Sequence, residues 1–279
     1  MKTTLLILSV FLTTSLFGQN VYIPDANFKA YLVGNAEINA NGDTEIQVSE
    51  ASAFDGAINC NAYSIADLTG IEAFTALTEL RCYNNQLTSL DVSGNTALIG
   101  LECDDNQLTS LDVSGNTALI GLGCWTNQLT SLDVSNNTAL TELLCDDNQL
   151  TSLDVSSNTA LKYLSCYTNQ LECLNVKNGN NTAFDIFEAF WNPNLTCIEV
   201  DDVNYSTTNW TDIDSQMSFS TNCNNDCSAS TVGINELTTS KNLIQILDMM
   251  GRETTFKPNT PLIYVYDDGS IEKVFSVEY

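Results

Sequence analysis

A solenoid of α/β type, mostly β, wound in 21-residue coils and followed by a small β-sandwich-like C-terminal domain, is the fold predicted by this 279-residue sequence. Three observations carry the prediction. Cys82, Cys103, Cys124, Cys145 and Cys166 lie 21 residues apart. The segment NQLTSLDVS occurs four times, beginning at Asn85, Asn106, Asn127 and Asn148. From about Gly233 the composition shifts, and lysine with alternating apolar residues replaces the repeat. A fixed period of this length marks stacked supersecondary units, none of which buries its own apolar face alone.

The chain opens with Met1 and Lys2, an apolar run from Leu5 to Phe17, and then the small residue Gly18. This is the build of a secretory signal peptide over residues 1–18. The run is shorter than the ~20 apolar residues that span a bilayer. No later segment is long and apolar enough to do so, and we expect an exported chain without a membrane span. Residues 19–56 read as an N-terminal cap, with a short helix over NFKAYLV. Next, Asn39, Asn41, Asp43, Glu45 and Glu50 fall at positions 1, 3, 5, 7 and 12 of a loop, with apolar Ile46 at position 8. That spacing resembles an EF-hand or dockerin-type calcium loop and makes calcium the one cofactor in view. Position 1 is Asn, however, and Thr44 stands where such loops carry Gly. The alternative is a polar turn between cap elements.

Through residues 57–202 the text around each Cys reads L-x-x-L-x-C-x-x-N-x-L, as in Leu77, Leu80, Cys82, Asn85 and Leu87. Leu80 and Cys82 on either side of Arg81 show the two-residue period of a strand with one buried face. Leu87, Leu90 and Val92 return the chain and fill the core from the other side. Asn85, Asn106, Asn127, Asn148 and Asn169 would stack as a ladder whose amides serve backbone groups exposed by the turn. The pattern resembles the leucine-rich repeat, with Cys where many members carry Leu or Ile, and it covers about half the chain. Degenerate copies flank it, as capping repeats do. Ile58, Cys60, Ile65 and Leu68 precede it at a spacing of 22. Phe184, Phe187, Ala189 and Asn192 follow it, with one extra residue placed at Pro193. Seven coils at ~4.8 Å each make an array about 34 Å long.

Cys60, Cys82, Cys103, Cys124, Cys145 and Cys166 take the inward position of successive coils. A zinc site needs ligands converging on one point, whereas these run in a line, so they read as compact core residues. Cys173 and Cys197 instead replace the Ser of LTSLDV in successive coils, which brings them to ~5 Å, within the disulfide window. We therefore expect a Cys173–Cys197 bridge and a Cys223–Cys227 bridge, one of three connectivities that four cysteines allow. Asp91, Asp112, Asp133 and Asp154 also stack. Each is expected to cap its own turn through backbone N–H groups, with calcium bridging between coils as the alternative.

Residues 203–232, rich in Ser, Thr and Asn, read as the C-terminal cap and linker. In the final 45 residues or so, Leu243–Leu247, Leu262–Tyr266 and Ile271–Val277 read as strands separated by Gly251, Pro258, Pro261 and Gly269. An apolar strand ending in Asp248, then Met250, Gly251, Arg252 and Glu253, then the strand Leu262–Tyr266 and a terminal hairpin strand, resembles the C-terminal sorting domain of the type IX secretion system of Bacteroidetes. The resemblance implies that residues 233–279 engage that machinery. Members often end in a basic strand, whereas this chain ends in Val277, Glu278 and Tyr279.

Composition narrows the function. With no histidine there is no Ser-His-Asp triad, no Cys-His pair and no His-ligated zinc. A formal charge of -26 opposes nucleic acid and anionic lipid surfaces. Variation among the copies concentrates on outward strand positions. One such column reads Tyr83, Asp104, Trp125, Asp146, Tyr167 and Phe190; another reads Arg81, Glu102, Gly123, Leu144, Ser165 and Glu188. In a solenoid these positions form the concave sheet, the usual binding surface. Aromatics interleaved with carboxylates suit sugar rings or a basic protein patch. Asp104 and Asp146, two coils apart on an open acidic face, are not expected to have pKa values driven apart as a glycosidase pair requires. The sequence thus predicts a monomeric, secreted or cell-surface binding protein, not an enzyme, that takes a protein or glycan ligand on its concave face. A structural spacer and, less favoured, an accessory module of a carbohydrate-active enzyme are the alternatives.

Overall fold

Leu80, Leu101, Leu122, Leu143, Leu164 and Phe187 lie directly opposite one another in consecutive parallel strands, because every coil presents the same residue at the same point of its turn. The computed structural model describes residues 18–224, Cys227, 243–248, Arg252, Thr254, 262–266 and 271–274. It divides into two compact units, Met1–Ser230 and Thr231–Tyr279. The signal-peptide run ending at Phe17 lies outside the described residues.

The first unit carries a seven-stranded parallel sheet. Its strands are Ala57–Asn59, Glu79–Arg81, Gly100–Glu102, Gly121–Gly123, Glu142–Leu144, Tyr163–Ser165 and Ile186–Glu188. Each is three residues long, with the central residue buried. Behind it, Ser152–Asp154, Cys173–Asn175, Cys197–Glu199 and Ser218–Ser220 form a second, four-stranded parallel sheet that the repeat pattern did not predict. The step from Tyr163 to its partner Ile186 is 23 residues. The extra residue expected at Pro193 is present too, setting buried Leu195 three positions after Asn192 where Leu171 follows Asn169 by two. The extra length of this step is separate. It is taken up before that strand, where Gly179 adopts φ 77° and Asn181–Ala183 makes a turn of 3-10 helix. Glycine alone enters that backbone region without a Cβ penalty.

The interior is a set of columns. Leu87, Leu108, Leu129, Leu150 and Leu171 form one, and Val92, Val113, Val134, Val155 and Val176 another, all buried. The six inward thiols are buried and free. Burial pushes the Cys60 thiol up to about 12 and raises the other five. The thiolate is the reactive form. A folded sample should therefore leave all six thiols unreacted with Ellman's reagent, and a denatured one should titrate six. Fast reaction of any of them in the native state would contradict this packing.

The predicted Asn ladder is present and ties each coil to the one before it. Asn127 Nδ2 donates to the carbonyls of Cys103 (3.1 Å), Cys124 (3.1 Å) and Trp125 (3.3 Å), while its Oδ1 accepts from Leu108 N–H at 2.9 Å. Asn106, Asn148 and Asn169 repeat this pattern, and Asn192 extends it. The residue before each ladder Asn is left-handed: Asn84, Asp105, Thr126, Asp147, Thr168 and Trp191 have φ between 48° and 56°. Such a backbone is unfavourable for side chains with a Cβ, β-branched ones above all. A second ladder runs through Asn95, Asn116, Asn137 and Asn158, each fully buried, each donating to two carbonyls of the preceding coil. The Asp column does cap its own turns. Asp91, Asp112, Asp133 and Asp154 accept from the N–H of Ser93, Ser114, Ser135 and Ser156 at 2.8–2.9 Å.

Both ends of the array are plugged. At the N-terminal side, Asp25 caps the helix Ala26–Gly34 by accepting from Asn27 and Phe28 N–H, and also accepts from Ala66 N–H in the first coil. The helix buries Phe28 and Leu32, one turn apart, against that coil. At the C-terminal side, Asp202 caps the helix Val203–Asn209. The following Trp210 stacks on Phe187 at 4.1 Å and meets Phe184 edge-on at 5.3 Å, closing the core.

The expected disulfide pairing is corrected here. The bridges are Cys173–Cys227 and Cys197–Cys223, with Cα separations of 5.3 and 5.8 Å. Cys173 and Cys197 begin neighbouring parallel strands. In-register side chains of such strands stand side by side at ~4.8 Å and do not point at one another, whereas a disulfide needs Cβ atoms ~3.8 Å apart. The segment carrying Cys223 and Cys227 meets each of them instead.

The second unit contains a three-stranded antiparallel sheet in the order Leu243–Asp248, Leu262–Tyr266, Ile271–Val274. These are the three strands expected from the sequence. Met250, Gly251, Glu253 and the terminal Val277–Tyr279 lie outside the described residues.

Candidate binding site on the seven-stranded face

Three glycines shape this face. Gly100, Gly121 and Gly123 occupy outward positions of two adjacent strands, and the missing side chains leave a depression of about 430 Å³. Tyr83 and Trp125 stand on its walls, with Glu102, Asp104, Asp105, Glu142 and Leu144 around them. A Cβ on Gly121 would meet nothing within 4 Å, so the space there is open. A Cβ on Gly123 would come within 3.3 Å of Asp104 Oδ1, and the glycine thus makes room for that carboxylate.

Asp104 is the unusual group. It is only 5 % exposed, and burial pushes its pKa up to about 6, assisted by the nearby charges of Glu102, Asp105 and Asp146. Burial raises the pKa of Asp146 as well, so the two carboxyls of the pair shift in the same direction. Asp104 is largely withdrawn from water, which therefore stabilises its charge poorly. For a carboxyl whose folded pKa is raised, the stabilising contribution is complete below the unfolded value and is lost as pH rises through about 6. Asp104→Asn should therefore be more stable than wild type at about pH 7.5, by about 1–2 kcal/mol, with the gain gone below about pH 4. Urea unfolding of both proteins across that range checks this, and a gain independent of pH would contradict it.

The six residues of the predicted binding column separate into two groups. Tyr83, Asp104 and Trp125 come together in the depression. Further along the sheet, Tyr167 stacks on Phe190 with ring centroids 4.7 Å apart and planes 3° from parallel. Asp146, 6 % exposed, has its pKa raised by burial, while its contact with the Tyr167 hydroxyl works the other way. Burial and that carboxylate push the Tyr167 pKa up to about 12. Neither carboxylate is the freely exposed residue that the alternation implied. The sequence reading missed Trp191, which is 65 % exposed and packs edge-on against Tyr167 and Phe190. Its position in the left-handed column was the available signal. It also passed over Gly100 and Gly121, where comparing each coil's first strand residue would have shown two glycines among Glu79, Glu142, Tyr163 and Ile186.

The residues of the expected calcium loop are used within the cap. Glu45 is paired with Lys29 at 2.7 Å. Glu50 accepts from the N–H of Gln47 and Asn41, the first of these as part of a capping box. Asp43 accepts from Glu45 N–H and from the amides of Asn41 and Gln47, and Asn39 accepts from Gly42 N–H. Among the described residues no three His, Cys, Asp or Glu side chains are grouped around one point.

Parallel coils of 21 residues, inward Leu and Cys columns and an Asn ladder together define a leucine-rich-repeat solenoid. Internalin J of Listeria monocytogenes serotype 4b (strain F2365) is 40% identical over 76 residues, 27% of this chain and 8% of that protein. The solved functional domain of InlJ from Listeria monocytogenes, which includes a cysteine ladder, superposes with a TM-score of 0.57 at 34% identity, over 76% of this chain and 48% of that domain. Internalin C2 of Listeria monocytogenes strain F2365 shares the fold, with a TM-score of 0.52 at 18% identity over 72% of this chain and 98% of that one. No family model matches the chain. It spans about half the length of the InlJ domain and less than a tenth of the curated internalin J.

Proposed function

We propose that this protein is a non-catalytic binding protein, exported to the cell surface or medium, that recognises an extracellular partner on the seven-stranded face. The observation that carries this reading is the depression between Tyr83 and Trp125 opened by three glycines. A rigid stack of coils supports it from behind, so binding spends little free energy on ordering the site. Burial shifts Asp104 and Asp146 in the same direction, whereas an acid–base pair needs its pKa values pushed apart, which disfavours turnover. No described helix is long and apolar enough to cross a membrane. The apolar leader and the three-stranded C-terminal unit, with its likeness to type IX sorting domains, support export through that route.

Protein and glycan arrays probed with wild type, Trp125→Ala and Gly121→Leu test the reading. Ligands retained by wild type should be lost by both variants while circular dichroism stays unchanged. Ligands bound equally by all three proteins would move the site elsewhere. Turnover of any polysaccharide by wild type but not by Asp104→Asn would replace binding with catalysis.

A further inference from the structure

We infer that the depression between Tyr83 and Trp125 takes a lysine or arginine side chain of a protein partner. This rests on the binding reading above and specifies its chemistry. Glu102, Asp104, Asp105 and Glu142 line the space, and no Lys or Arg lines it. Arg81, on the neighbouring strand, is already paired with Glu79 at 2.7 Å and Glu102 at 3.2 Å.

Asp104 adds an observation independent of the number of acids. Its side chain is almost wholly buried, yet no other residue among those described donates a hydrogen bond to its carboxylate, and it borders the depression. A carboxylate served only by its own backbone N–H keeps lone pairs to spare, and a charged donor from outside would supply what the fold does not. The two aromatic walls fit the same guest. A guanidinium or ammonium is attracted to the face of Trp or Tyr, more strongly where water is displaced. The methylene stem would lie against Leu144 and the ring faces. A volume of about 430 Å³ falls at the small end of pockets that enclose a ligand group. A neutral sugar could stack on Trp125 but would leave the carboxylate charges uncompensated.

The test uses the full mature chain and labelled hexalysine, hexaarginine and hexacitrulline peptides, together with a neutral glycan array. The basic peptides should bind, with affinity falling as salt is raised from about 50 to 300 mM. Hexacitrulline should bind at least about ten-fold more weakly, because it keeps the shape and loses the charge. Gly121→Leu, Trp125→Ala and Asp104→Asn should each weaken hexaarginine binding by about ten-fold or more. Asp133→Asn, which removes one charge from a turn outside the depression, should change it by less than about two-fold. Equal losses in Asp133→Asn and Asp104→Asn would show diffuse attraction to an acidic protein and overturn the inference. So would an absence of basic-peptide binding. If neutral glycans bind and Gly121→Leu abolishes that binding, the seven-stranded face remains the site and only the cationic guest is wrong. If no ligand responds to Gly121→Leu, both readings fall.

Discussion

Replacing Asn127 with leucine is expected to destabilise the protein by about 3–5 kcal/mol, among the largest effects of any single substitution in the array. The amide makes four hydrogen bonds, three to carbonyls and one from a backbone N–H, and these join the coil of Cys124 to that of Cys103. Leucine is close in volume, so the core column is not emptied. What is lost is the partner of several buried backbone groups, each costing about 1–3 kcal/mol when left unpaired. The same change at Asn85, whose amide is only partly buried, should cost less, because water can take over part of the lost hydrogen bonding there. Urea denaturation of the two variants beside wild type provides the measurement. Equal, small losses of under about 1 kcal/mol would show that water replaces the amide and that the ladder is not what joins the coils.

Removing the Cys173–Cys227 bridge by a paired change to alanine should cost about 4 kcal/mol, the loop-closure entropy expected for a sequence separation of 54. The corresponding change at Cys197 and Cys223, separated by 26 residues, should cost about 0.5–1 kcal/mol less. The structural consequence is local. Both bridges hold the segment carrying Cys223 and Cys227 onto two neighbouring strands of the four-stranded sheet. Without them the C-terminal coils should fray first, so limited proteolysis should cut within residues 202–224 before it reaches the ladder region. A disulfide map showing Cys173 joined to Cys197 would refute the connectivity. Proteolysis beginning near the N-terminal helix would refute the order of opening.

The two predictions differ in how readable their residues were. The ladder at Asn85, Asn106, Asn127, Asn148 and Asn169 was plain in the sequence, because identical spacing forces identical placement once the coils stack. The core columns and the turn-capping Asp residues follow from the same reasoning. The second ladder, at Asn95, Asn116, Asn137 and Asn158, was equally periodic. It was overlooked because Asn in S-x-N-T-A-L also reads as an ordinary turn residue. Half of the candidate site was legible: Tyr83, Asp104 and Trp125 were named from their outward phase. Its shape was not, since an absent side chain at Gly100 or Gly121 contributes nothing to a pattern of what is present. The disulfide partners were misjudged for a related reason. Stacking predicts the distance between Cys173 and Cys197 but not the direction of their Cβ bonds.

Periodicity by itself determined the coil length, the parallel stacking and which residues face inward, because a 21-residue unit cannot close on itself and must repeat its contacts in its neighbours. Tertiary structure alone decided which outward residues stay in water. Asp104 and Asp146 share the phase of Tyr83 and Trp125, yet both are buried in the stacked array. Burial depends on neighbours one coil away, and so does the charge state that burial sets. No single repeat contains that information.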